Sequence, residues 1–128
     1  MANERLETNG ILNNQADGTQ IYLGGAWRTI AFIKFACPAG TTDIIAGVAL
    51  QKIYVLGFQF SCDTDATTFK WVEETTGDLT NAQTFMKGGG EVVFPYKTLL
   101  FQTAVVLKKL QGTATVGTVT GTVWYVRF

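Results

Sequence analysis

From Ile30 onward, apolar and polar residues come in short runs with a period of two, the repeat that puts successive side chains on opposite faces of a strand. The runs "IAFIKFA" (30–36) and "KIYVLGFQFS" (52–61) are rich in β-branched and aromatic residues, which pack well on a pleated surface. In the second run the period predicts Tyr54, Leu56, Phe58 and Phe60 on one face, with Ile53, Val55, Gly57 and Gln59 on the other. "TTFKWVEE" (67–74) repeats the pattern, with Phe69 and Trp71 on one side and Lys70 on the other. The C-terminal "GTVTGTVWYVRF" sets Thr120, Thr122, Trp124 and Val126 against Val119, Val123 and Tyr125.

Turn signals separate these runs: "CPAGTTD", "SCDTDA", "TTGDLTN", "KGGG" and "LQGTATVG". Their spacing is that of a sandwich or barrel of many short strands. One segment, "KTLLFQTAVVLKKL", can be laid on a helix, with Leu99, Thr103, Val106 and Leu110 on one face. Its second half, "TAVVLKKL", also reads as a strand, and the β-rich surroundings favour that. The expected fold is all-β, a sandwich of about eight strands in two packed sheets over residues 27–128. Residues 1–26 are expected to form an extended N-terminal arm. This stretch is polar and Asn-rich, but Ile11, Leu12, Ile21, Tyr22, Leu23 and the adjoining Trp27 need an apolar surface to lie on.

Composition narrows the functional classes. Lys and Arg total 10, as do Asp and Glu, so no basic footprint for nucleic acid or an anionic membrane is expected. Charged residues make up only 16% of the chain, against about 25% in an average soluble domain. That leaves a neutral surface with apolar area for other chains to cover. Trp27, Trp124, Tyr125 and Phe128 are candidate anchors in such interfaces, or else core residues. The N-terminus has neither the basic nor the apolar region of a signal peptide, and no apolar run is long enough to span a bilayer. Synthesis in a cytoplasm is expected. Cys37 and Cys62 are expected as buried free thiols.

The chain has no histidine, which removes Ser-His-Asp and Cys-His nucleophile systems and His-ligated zinc. Its lone serine, Ser61, lacks a nucleophile elbow. Asp63 and Asp65 lie two apart, as calcium ligands do, but no turning glycine or distal glutamate follows at the required places, and a solvated β-turn explains them better. Glu73 or Glu74 is a candidate for one half of a glycosidase pair with Asp63, Asp65 or Asp78. Neighbouring strand residues face opposite ways, so the two glutamates cannot act together, and surface carboxylates are the simpler reading. No enzyme, metal or cofactor is expected. In "KGGGEVVFPY" the lysine precedes the glycines and no helix follows, so the stretch is no phosphate loop. Gly88, Gly89 and Gly90 are expected to form a structural turn, and Pro95 to end or break a short edge strand.

The run "KIYVLGFQFSCDTDATTFKW", followed by "GGGEVVFPY" and then by "GTATVGTVTGTVWYV", resembles a small domain of tailed-bacteriophage virions. The family comprises capsid decoration (cement) proteins and head fibre components. The resemblance covers residues 30–128. It departs at "KTLLFQTAVVLKKL", which lacks the glycine-containing turn expected after Phe101, and at the arm, which has no counterpart. It implies a jelly-roll-like sandwich, a homotrimer, and binding to the major capsid protein at the outer surface of the virion without catalysis. Ile11, Leu12, Tyr22, Trp27, Trp124, Tyr125 and Phe128 then become candidate capsid or subunit contacts. The alternative is a host-receptor or carbohydrate-binding domain of a phage head or tail fibre, with exposed aromatics such as Trp71 or Tyr96 lining a shallow groove.

Overall fold

A computed structural model describes residues 12–15, 18–93 and 99–128. Its strands are β1 (Leu12–Gln15), β2 (Gly18–Leu23), β3 (Ala26–Thr29), β4 (Ala31–Cys37), β5 (Gly40–Ile45), β6 (Ile53–Cys62) and β7 (Thr67–Glu73). They continue with β8 (Gly77–Asp78), β9 (Gln83–Phe85), β10 (Gly90–Val93), β11 (Phe101–Gln102), β12 (Leu110–Thr115) and β13 (Val119–Arg127). The fold is all-β, as its period-two patterning requires.

One sheet runs in the order β10-β6-β13-β4, and β11 shares the β10 edge of β6. The facing sheet runs β12-β7-β8, and β9 shares the β8 edge of β7. β5 lies along the other side of β12, tied by Thr41 to the Thr113 hydroxyl at 2.8 Å and by Asp43 to the Gln111 amide at 2.8 Å. From β4 to β7 the chain alternates between the sheets; β8 and β9 stay with β7, β10 and β11 return to β6, and β12 and β13 divide again. This is jelly-roll connectivity with eight strand positions, two of them split. The sequence pattern counts positions well and splits poorly, because β8 and β11 are only two residues long.

The core between the sheets is aromatic. Phe35, Phe58 and Phe60 from one sheet meet Phe69 and Trp71 from the other, with ring centroids from 4.8 to 6.1 Å apart. Cys37 and Cys62 are free and buried at its margin. Burial pushes the Cys37 thiol pKa up, against a smaller opposing effect of its hydrogen bond with Thr42.

The expected face assignment along β6 is wrong in its first half. Trp124 is paired with Gly57 but Tyr125 with Val55, so Leu56 is an extra residue in a β-bulge. The bulge reverses the facing of everything before it. Ile53 and Val55 join Phe58 and Phe60 in the main core, while Tyr54 and Leu56 turn to the outer face. There Leu56 and Val126 receive Ile21, which is fully buried, and Leu23, Ile30 and Phe128 close around them.

Ile21 belongs to an antiparallel meander of β1, β2 and β3. Of the segment expected as an extended arm, residues 12–15 and 18–26 lie in this meander, and Ile21 docks it on the outer face of the β6–β13 sheet. "TAVVLKKL" is corrected too: residues 103–109 form a loop, and only Leu110 belongs to a strand. Replacing Ile21 by Ala should cost about 2–5 kcal/mol in denaturant unfolding and strip amide-exchange protection from β2 and β3 before the core. Unchanged protection in these strands would mean that the meander is held elsewhere.

Candidate functional site

β7 carries Thr67, Phe69, Trp71 and Glu73 inward, so the strand's period delivers a carboxylate to the interior at its last position. Glu73 is 0% exposed. One of its oxygens accepts the Ala104 amide at 2.7 Å and the other the Val105 amide at 3.0 Å. Its neighbour Glu74 faces the other way and accepts the Lys109 amide at 3.3 Å. The expectation of surface carboxylates therefore fails for Glu73. Sealed from solvent and with both oxygens engaged by backbone donors, the carboxylate serves as a structural clamp. The donors also explain why 103–109 is not a strand: two amides that would enter a ladder point at Glu73 instead.

This clamp shapes one end of the sandwich, where the β11–β12 loop meets the β5–β6 loop. The Leu107 amide donates to the Gln51 carbonyl at 3.0 Å. A side chain at Gly47 would collide with the Leu107 carbonyl. With its amides turned inward, the loop carries Val105, Val106 and Leu107 outside, beside Val48 and Leu50. Leu50 is 86% exposed at φ 66°, and Leu107 is 56% exposed at φ 70°. A leucine in left-handed backbone with its side chain in water is unfavourable on both counts. Several polar side chains nearby are engaged within the chain. Lys109 pairs with Asp43 at 2.9 Å, Lys108 donates to the Thr75 hydroxyl at 2.8 Å, and Arg127 donates to the Ala46 carbonyl at 2.9 Å. Hydrogen bonds from Gln111, then Lys109, hold the Asp43 carboxyl below the usual carboxylate range. The result is an end with several exposed apolar side chains beside polar groups paired within the chain.

Comparison with family models, with characterised proteins and with solved structures finds no match to this chain.

The opposite end holds the glycine run and the Asp63–Asp65 turn. Asp65 accepts the Lys87 amide at 2.8 Å, and Asp63 accepts the Thr118 amide at 2.8 Å and the Thr64 hydroxyl at 2.9 Å. Gly88 has φ 82°, Gly89 closes on the Met86 carbonyl at 2.7 Å, and Gly90 passes against the backbone of Phe60. The two aspartates fasten loops, and among the described residues no group of three or more His, Cys, Asp or Glu is placed to hold a metal. Pro95 and Tyr96 lie outside the described residues; β10 is at the edge of its sheet, and its described residues run to Val93.

The predicted contact residues are scattered. Tyr125 is a correction: it is buried, because its parity on β13 places it in the core with Val119 and Val123. Phe128 stacks on Tyr54 at 4.0 Å, with the Arg28 guanidinium 3.6 Å from its ring centre, so it fastens the meander within the chain. Tyr22 and Trp27 pack edge to face at 5.5 Å on the meander and are half-buried. Trp124 is half-buried on the outer sheet face, in register with the exposed Phe32. The backbone of Leu12 pairs with Ile21, and Ile11 lies outside the described residues. None of these is at the apolar loop end. Sequence reasoning missed Val48, Leu50, Val105 and Leu107, whose only signal was an apolar stretch without a strand partner.

Glu73→Gln should cost about 1–3 kcal/mol in urea unfolding, since one amide then faces an NH2 group that cannot accept. An unchanged midpoint would show that the clamp is dispensable. The pH dependence has a definite sign. The Thr118 amide first, and the Thr64 hydroxyl next, hold the Asp63 carboxyl below the usual carboxylate range. Its contribution is therefore present above about pH 4 and lost as pH falls through the lowered value. The protection factor of the Thr118 amide should fall between about pH 5 and about pH 2 in the native protein but not in Asp63→Asn. Equal profiles would remove Asp63 as the cause.

Proposed function

We propose that this chain is a virion structural protein that binds the outer surface of a capsid as an oligomer and stabilises the head. The observation that carries this reading is the apolar loop end, where Leu50 and Leu107 are held in left-handed backbone with their side chains in solvent. Strain of this kind persists where the surrounding structure fixes it and clusters where a protein engages something else. The resemblance of residues 30–128 to phage decoration and head fibre proteins supports the same reading. So does the jelly roll, by analogy alone, since folds of this kind build viral capsids and lectins.

The mechanism is mechanical. Each copy sets Val48, Leu50, Val105, Val106 and Leu107 against apolar area on the major capsid protein, and burying a leucine contributes about 1.5–3 kcal/mol. Repeated over many copies, this resists separation of the capsid subunits. Oligomerisation, as a trimer by the resemblance, multiplies the attachment through effective concentration. Because the contacting side chains are apolar, raising the salt should not weaken this attachment.

Particles stripped of this chain should recover it from solution and gain heat resistance. The double variant Leu50→Asp, Leu107→Asp should lose association at least about tenfold in co-sedimentation while its melting temperature holds, because both side chains are exposed. A chain that never associates with capsids, or a double variant that binds like the parent, would overturn the proposal.

A further inference from the structure

Trp71, expected as an exposed aromatic, is buried, at 2% exposure. Among the described residues the aromatic side chain most open to solvent is Phe32 on β4, at 60%. β4 pairs with β13 along one edge, and among the described residues no strand pairs with its other edge. At seven residues it is longer than β8, β9 and β10, the strands of two to four residues at the opposite margin. Its two halves differ. Phe35 and Cys37 are buried next to the short link into β5, whereas Ala31, Phe32, Ile33 and Lys34 are exposed. Ile33 is opposite Val123, a core residue, yet is itself 36% exposed, so core-facing apolar surface reaches solvent at this edge. An unpaired apolar edge is a template for another strand.

We propose that β4 of a second copy of this chain completes the edge, running antiparallel about a two-fold axis centred on Ile33. An axis perpendicular to the sheet keeps both cores on the same side, so it must pass through a residue and pair odd positions with odd and even with even. Centred on Ile33, the strand is complementary to itself. On the core side Ile33 faces Ile33 of the second copy, and the small Ala31 faces the large Phe35. On the outer side Phe32 faces Lys34 twice, which sets an ammonium against an open ring and its methylene stem along the ring edge. Trp124, in register with Phe32 on β13, flanks each of these pairs.

Charge selects the register. An axis centred on Lys34 would set two lysines directly opposite each other, which is unfavourable. Lys34 thus guards the edge against that pairing and against indiscriminate strand addition, while it favours the pairing centred on Ile33. Lys and Arg equal Asp and Glu in number, so no net repulsion opposes the approach of two copies. The contact is isologous and uses both free edges, so it closes at two copies and does not propagate. The phage resemblance implies three copies instead, and the mass of the free protein distinguishes the two. Neither Leu50 nor Leu107 takes part, so the pairing stands or falls independently of capsid attachment.

The test is sedimentation equilibrium of the free, intact chain. At about 100 μM it should give twice the 13.9 kDa chain mass and dissociate on dilution. Phe32→Lys places a lysine against Lys34 on both sides and should weaken the dimer at least about tenfold, with unchanged far-UV circular dichroism. Adding Lys34→Glu to that variant should restore the dimer and make it sensitive to salt. Ile33→Cys should link two copies by a disulfide under mild oxidation, since the native thiols are buried, whereas Phe32→Cys should not. If Ile33→Cys does not fold, the charge exchange carries the test. A single-chain mass at that concentration, a three-chain mass, or a dimer indifferent to Phe32→Lys would overturn the proposal.

Discussion

A carboxylate sealed in the interior must find donors or destabilise the fold, and Glu73 finds two amides of a single loop. From that constraint much of one end of the molecule follows. The amides of Ala104 and Val105 cannot join a ladder while they point at Glu73, so the chain after β11 leaves the sheet. Turning the backbone inward turns Val105, Val106 and Leu107 outward. A buried acceptor thereby produces an exposed apolar surface. The neighbouring β5–β6 loop completes it, since Gly47 admits the Leu107 carbonyl where any side chain would strike it.

A second local irregularity sets the other outer surface. Without the bulge at Leu56, β6 would keep one register and direct Tyr54 and Leu56 into the main core. With it, both turn outward and the sheet gains an apolar patch on which Ile21 is fully buried. The Arg28–Phe128–Tyr54 stack then locks the meander to the chain's last residue. The aromatic residues near the two termini thus satisfy each other.

The strand positions and the aromatic core were legible because period-two alternation and aromatic enrichment report directly on which face is buried. Phe69, Trp71, Val119 and Val123 lie where that period puts them. The bulge was not legible, because "IYVLGF" is apolar at both parities and nothing in it marks the extra residue. Glu73 was misread for a related reason: a carboxylate at an inward position looks like a surface group until its donors, some thirty residues downstream, are seen. The loop after Phe101 was misread because its apolar residues mimic a strand.

These features combine into a rigid sandwich with different chemistry on different faces. One end offers apolar loops whose exposure the proposed capsid contact would relieve. The opposite end is fastened by Asp63, Asp65 and the glycine turn. Jelly rolls distribute loops to two ends and leave sheet edges at the sides, so such a division of labour comes readily to the fold. The most direct measurement is an electron cryomicroscopy map of the intact particle that carries this chain. The account predicts copies on the outer shell with Leu50 and Leu107 buried against the major capsid protein; those residues facing solvent, or no copies on the shell, would contradict it.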